Sequence, residues 1–204
     1  EGERDIFGNM PNLIREAAGE GIVLLKNNNA LPYNKDTKIS VFGRCQLDYF
    51  YVGYGSGGDV HAPYFVNVID GIKNAGGKVN EWLLNYYKDF SKNNPAPHGF
   101  WGHWPMSFEE PHLDDETVKR ASEESDVALV VIGRAAGEDR ENTLTKGSYY
   151  LTDEERKLLD QVCNNFSNVT VLLDCGNVID MQWVLDYNDR LRGIIYAWQG
   201  GMES

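Results

Sequence analysis

Val127-Ala128-Leu129-Val130-Val131-Ile132 is an unbroken apolar run, and four of its six residues are β-branched. Residues 115–124 before it carry a helical pattern. After it come a polar loop at 133–150, a second helical pattern at 152–166 and a second apolar run at 169–173. A strand that is apolar at every position, rather than at every second one, is buried on both faces. Such strands alternating with amphipathic helices predict an α/β fold: a three-layer αβα sandwich around a mostly parallel, doubly wound sheet. Working outward, Thr152 followed by Glu155 is a capping box and starts the second helix. Beyond 173 the pattern predicts a short helix at 180–185 and a strand at 193–198. Toward the N-terminus it predicts a helix from 12 leading into an apolar strand at 22–25, a strand at 38–43 and a helix at 66–73. A further helix at 79–90 should present Trp82, Tyr86 and Phe90 on one face. Residues 93–111, broken by Pro and Gly, read as one long irregular loop.

The chain has 204 residues and a net charge of −12, from 19 Lys and Arg against 31 Asp and Glu. Its ordinary apolar content excludes disorder and fibre. The negative field repels polyphosphate and anionic lipid, so neither nucleic acid nor a membrane surface is expected as a partner. No apolar run approaches the ~18 residues of a membrane span. The start, Glu1-Gly2-Glu3-Arg4-Asp5, has no signal-peptide pattern, and the expectation is a cytoplasmic protein. Cys45, Cys163 and Cys175 are odd in number, form no CxxC pair and read as buried free thiols.

In a doubly wound sheet, chemistry belongs to the loops leaving the carboxyl ends of strands. Three loops qualify, after 38–43, 127–132 and 169–173. The first holds Gly53-Tyr54-Gly55-Ser56-Gly57-Gly58, which satisfies GxGxxG. Nine residues separate it from the strand, however, and Pro63 follows soon after. A dinucleotide loop starts at the strand end and opens a helix. Nucleotide or flavin binding therefore stands as a rival to a glycine loop that lets a ligand approach closely. His98, His103 and His112 lack a firm ligand geometry, so no metal is expected. Phe100, Trp101 and Trp104 suit stacking on sugar faces or a small core under the loop. In the second loop, Arg134, Glu138, Asp139, Arg140 and Glu141 set carboxylates beside guanidinium groups. Such neighbours can move one carboxyl group's titration away from the rest, as a general acid requires.

Arg134-x-x-Gly137-Glu138, then Lys146-Gly147-Ser148-Tyr149-Tyr150-Leu151 and Asp153-Glu154-Glu155, resembles the α/β sandwich domain of glycoside hydrolase family three, the β-glucosidase family. Glu16-Ala17-Ala18-Gly19-Glu20-Gly21-Ile22-Val23-Leu24-Leu25-Lys26-Asn27 with Ala30-Leu31-Pro32 looks like that domain's opening. Gly176-Asn177-Val178-Ile179-Asp180-Met181 and Tyr196-Ala197-Trp198-Gln199-Gly200-Gly201-Met202-Glu203 look like its later part. Residues 74–114 are the variable part. Gly43-Arg44-x-Gln46 with the Tyr54 to Gly58 loop is most similar to bacterial members that place the sandwich before the barrel.

The resemblance implies a retaining enzyme of two domains acting on β-linked glucosides or short oligosaccharides without a cofactor. A TIM-like barrel, absent from this chain, supplies the aspartate nucleophile, and the sandwich supplies the acid/base. By motif that residue is Glu138. Arg134 and Lys146 are expected to tune or orient it, with Tyr54, Ser56, Trp101 and Trp104 binding or supporting substrate. The sandwich is expected to be truncated at its C-terminal end, because the family continues past Gly-Gly-Met-Glu, and to be inactive alone. A non-catalytic sugar-binding sandwich is the other open reading.

Overall fold

The computed structural model describes residues 8–58, 60, 62–187 and 189–203. In chain order these form α1 (Met10–Gly21), β1 (Val23–Asn27), β2 (Lys38–Phe42), α2 (Val68–Asn74), β3 (Lys78–Val79), α3 (Glu81–Asn93), α4 (Asp115–Glu124), β4 (Val127–Arg134), α5 (Asp153–Asn165), β5 (Val169–Cys175) and β6 (Leu191–Tyr196).

β4 is buried along its whole length, and its side chains divide between two cores. Ala128, Val130 and Ile132 pack with Val118 and Ala121 of α4 and with Leu158, Leu159 and Val162 of α5. Val127, Leu129 and Val131 pack on the other side with Ile69 of α2 and with Phe50. Successive strand residues face opposite sides of a sheet, so a uniformly apolar strand requires cover on both, and the helices supply it. The six strands lie in the order β1-β6-β5-β4-β2-β3. Every pairing is parallel except β1 with β6. From β2 the chain moves outward to β3, returns to the other side of β2 as β4, and winds on through β5 to β6. The strand order therefore reverses between β2 and β4, and the carboxyl ends of those two strands open the crevice where α/β sheets hold ligands.

The helices at 115–124 and 152–166 form as expected, the latter with its capping box: Glu155 N–H donates to Thr152 Oγ1 at 3.0 Å, and Thr152 N–H to Glu155 Oε2 at 2.8 Å. Two expectations are corrected, the start of the helix at 79–90 and the bounds of the last strand. Lys78 and Val79 pair with Lys38 and Ile39 as a short strand, and the helix begins only at Glu81, capped by Asn80. The buried residues of α3 are Leu83, Leu84 and Tyr87, while on the aromatic face Trp82 and Phe90 are half-buried and Tyr86 is exposed. β6 runs from Leu191 and ends at Tyr196, and Trp198 has φ of 59°, off the strand path. Cys45, Cys163 and Cys175 are buried free thiols. At the antiparallel edge, α1 buries none of its residues, and Leu13, Val23, Leu24 and Leu25 stay exposed.

Candidate active site

The loop after β2 is built to reach across the switch point. Gly43, at φ of 92°, passes so close to β4 that a Cβ there would lie 2.1 Å from the Val131 carbonyl oxygen. A 3-10 turn over Arg44–Gln46 follows. Both oxygens of Glu110 accept the Arg44 N–H, at 2.8 and 2.9 Å. The Arg44 guanidinium donates to Asp48 at 2.7 Å and to the Glu109 carbonyl at 3.2 Å. Phe50 N–H donates to Asp174 Oδ2 of β5 at 2.7 Å. These bonds tie the first half of the loop to the sheet.

Its second half clasps the loop after β4. Tyr54 N–H donates to the Ala136 carbonyl at 2.8 Å, and Glu138 N–H donates to the Tyr54 carbonyl at 3.1 Å. The two loops thus form a one-rung ladder, bridging Tyr54 and Gly137. Two residues on, Ser56 N–H donates to Glu138 Oε2 at 2.9 Å, and the Ser56 hydroxyl donates to the same oxygen. Glu138 is exposed, at the open end of the crevice. Its carboxyl group titrates below the ordinary glutamate range because the Ser56 hydroxyl, and then the Ser56 N–H, stabilise the anion. The glycine loop makes no phosphate cradle of dinucleotide type. It leads to Ser56 and Glu138, and the next helix, α2, starts only at Val68.

Arg134, the last residue of β4, is fully buried beneath this loop rather than beside Glu138. Its Nη1 and Nη2 donate to the two oxygens of Glu155, each at 2.6 Å. Nε donates to the Ser148 carbonyl at 3.0 Å, and Nη2 also reaches the Tyr150 carbonyl at 3.2 Å. Arg134 therefore pins the far end of the loop to the start of α5, fixing the span that carries Glu138. Lys146 is exposed and pairs with Asp153 at 2.5 Å. It too serves the junction with α5.

The irregular segment at 93–111 closes the third side. Trp104 is buried and stacks on Tyr54, ring centroids 5.3 Å apart and nearly coplanar in orientation at 4°. Trp101 meets Trp104 edge-on at 5.3 Å but leaves 50% of itself exposed. Arg140 Nε donates to the Trp104 carbonyl at 2.7 Å, and Ala135 N–H donates to the Met106 carbonyl at 2.8 Å. The structure thus brings Tyr54, Ser56, Trp101, Trp104 and Glu138 to one crevice, with Arg134 and Lys146 at its foundation. The three histidines do not converge with a carboxylate. His103 packs on Phe100 and His112 faces Lys157, and no group of three potential metal ligands occurs among the described residues.

Two buried acids under the site escaped the sequence. Burial pushes Glu110 up to about 8, against the opposing bond from Arg44. Burial likewise holds Asp174 well above the carboxylate range, and its Oδ1 has no partner among the described residues. Asp174 did leave a signal, a lone acid ending the apolar run 169–173. Glu110 left none.

Comparison with known proteins places these features. The sequence profile of the glycosyl hydrolase family 3 C-terminal domain matches residues 22–204. A β-glucosidase of Ruminococcus albus is 46% identical over 92% of the chain, and β-glucosidase A of Butyrivibrio fibrisolvens 32% over 92%. Among solved structures, a β-glucosidase from Paenibacillus barengoltzii superposes on 95% of the chain with a TM-score of 0.92 at 44% identity. β-Glucosidase 3B from Thermotoga neapolitana, in complex with glucose, superposes on 98% with a TM-score of 0.87 at 31% identity. The chain spans only part of each of these proteins, 20% and 25% of the two curated relatives and 22% and 28% of the two structures.

Proposed function

Because the chain belongs to glycosyl hydrolase family 3, we propose that it is the acid/base-bearing domain of a retaining β-glucosidase-type enzyme, and that Glu138 is the acid/base. One observation carries this. Glu138 is an exposed carboxylate at the topological switch point, set there by a ladder between the two loops that flank the crevice. A polar loop needs no such clamp, whereas an acid/base must be held within a fraction of an ångström of its target.

In the proposed reaction an aspartate of a separate barrel domain attacks the anomeric carbon. The bond to the leaving oxygen breaks, its electron pair stays on that oxygen, and Glu138 protonates it. Glu138 then takes a proton from water as the water's oxygen displaces the aspartate, so configuration is retained. The two carboxyl groups should stand about 5 to 5.5 Å apart. In this chain the Ser56 bonds favour the Glu138 anion, the opposite of what a proton donor needs. A barrel closing over the crevice corrects this, because burial and a second carboxylate both raise a carboxyl pKa. Trp101, half exposed beside Glu138's loop, suits the leaving group's apolar face. The exposed Leu13, Val23, Leu24 and Leu25 at the antiparallel edge are where remaining parts of such an enzyme pack. The chain by itself, with one of two carboxylates, is expected not to hydrolyse an aryl β-glucoside.

The test is a panel of amide variants in the enzyme that joins this chain to its barrel, assayed on cellobiose. Glu138→Gln should lose about 10²- to 10⁴-fold in kcat, with Asp139→Asn and Glu141→Gln near the parent. A large loss at Glu141 or Asp139 instead, or Glu138→Gln within a few-fold of the parent, refutes the assignment.

A further inference from the structure

Resting on Glu138 as the acid/base, we infer that Ser56 is a positioning residue that divides the two carboxylate oxygens between two tasks: Oε2 is held, and Oε1 is the oxygen through which the proton passes. The geometry is asymmetric. Both Ser56 donors, N–H and hydroxyl, go to Oε2, and Oε1 accepts no hydrogen bond from the described residues. A proton placed on Oε2 would point at two donors and displace at least one, so the acid form carries its proton on Oε1. Gly55 makes the approach possible, since its backbone runs against Glu138 with no room for a side chain.

Each half-reaction then uses one oxygen. In the first, Oε1–H gives its proton to the leaving oxygen as the glycosidic C–O bond breaks and the nucleophile's O–C bond forms. In the second, Oε1 takes a proton from water as the water's oxygen bonds to carbon and the ester C–O bond breaks. Oε2 remains bonded to Ser56 throughout, so the carboxyl group does not rotate between steps.

Among the described residues, the ionisable side chains beside Glu138 in sequence are Asp139, Arg140 and Glu141 on its own loop, with Tyr54 on the Ser56 loop. Arg140 is engaged with the Trp104 carbonyl. The downward displacement of Glu138's titration is due first to the Ser56 hydroxyl and then to the Ser56 N–H.

The experiment compares Ser56→Ala, Ser56→Gly and Ser56→Thr in the full enzyme, on cellobiose and on a dinitrophenyl β-glucoside. The latter has a leaving group that scarcely needs a proton. Ser56→Ala should cost about tenfold in kcat/KM on cellobiose, the size of one hydrogen bond to a charged group. It should stay within about threefold on the activated substrate. The basic limb of its pH profile should move to higher pH, because the anion has lost a donor. Ser56→Thr should restore the parent behaviour, and Ser56→Gly should repeat the Ala result with a different backbone. Equal losses on the two substrates, or an unmoved basic limb, overturn the inference. Survival of activity in Glu138→Gln would instead overturn the function on which it rests.

Discussion

Gly55→Ala should disable the site while Gly57→Ala, two residues away, leaves it intact. At Gly55, φ is 110°, and an added Cβ would lie 2.5 Å from Glu138 Cβ, 3.1 Å from its N and 3.1 Å from Oε2. Carbon atoms in contact prefer roughly 3.5 to 4.0 Å, so the loops must part by about 1 Å or more. A backbone conformation reserved for glycine adds about 1–3 kcal/mol of strain. A displacement of ~1 Å at a catalytic group costs about a hundredfold, so activity should suffer far more than folding. A Cβ added at Gly57 would meet no heavy atom of the described residues within 4 Å, and Gly57 has no positive φ, so its alanine variant should match the parent. The assay is kcat/KM on cellobiose for both variants, with thermal melting to read the strain. Gly55→Ala activity within about threefold of Gly57→Ala would show that the clamp does not position Glu138.

Arg134→Met should destabilise the domain by about 3–5 kcal/mol, because it strands the buried Glu155 carboxylate. Arg134→Met with Glu155→Met should recover part of that in chemical denaturation, less a cap's worth of about 1 kcal/mol. Glu110, pushed up to about 8 from an ordinary value of 4.5, binds a proton in the folded state that the unfolded chain has already released. Stability should therefore fall as pH rises through that window, and Glu110→Gln should melt with a flatter pH dependence; parallel melting curves for the two proteins would contradict this. Trp104→Ala should cost about 3–5 kcal/mol as a buried stack is lost. Trp101→Ala should stay within about 0.5 kcal/mol in melting while raising KM for cellobiose.

The sheet was legible because β4 is buried on both faces, and burial on both faces favours an unbroken apolar run. The start of α5 was legible because a capping box is local chemistry. β3 was not, since two residues carry no periodicity; Lys78 and Val79 become a strand only because β2 lies beside them. On α3 the spacing of Trp82, Tyr86 and Phe90 gives an aromatic face, yet the helix sits at the sheet's edge and turns Leu83, Leu84 and Tyr87 inward. Trp82 instead spends its indole N–H on Glu124 at 2.8 Å. Motif placed Glu138 and its neighbours within one loop, but a motif shows order and not direction. Arg134 is four residues from Glu138 in sequence and turns into the core, where its charge is answered by Glu155. Ser56, 82 positions away in sequence, is the residue that reaches the carboxylate.

Glu138 is proposed to donate and recover the proton in a two-step displacement. Glu138→Ala in the full enzyme, given an activated aryl β-glucoside with and without sodium azide, tests it most directly. Without a base the glycosyl-enzyme should accumulate, and azide, which needs no deprotonation, should release it. Azide should accelerate turnover at least about tenfold and give a β-glucosyl azide product of retained configuration. Turnover that azide leaves unchanged, or an azide of inverted configuration, would contradict this role of Glu138.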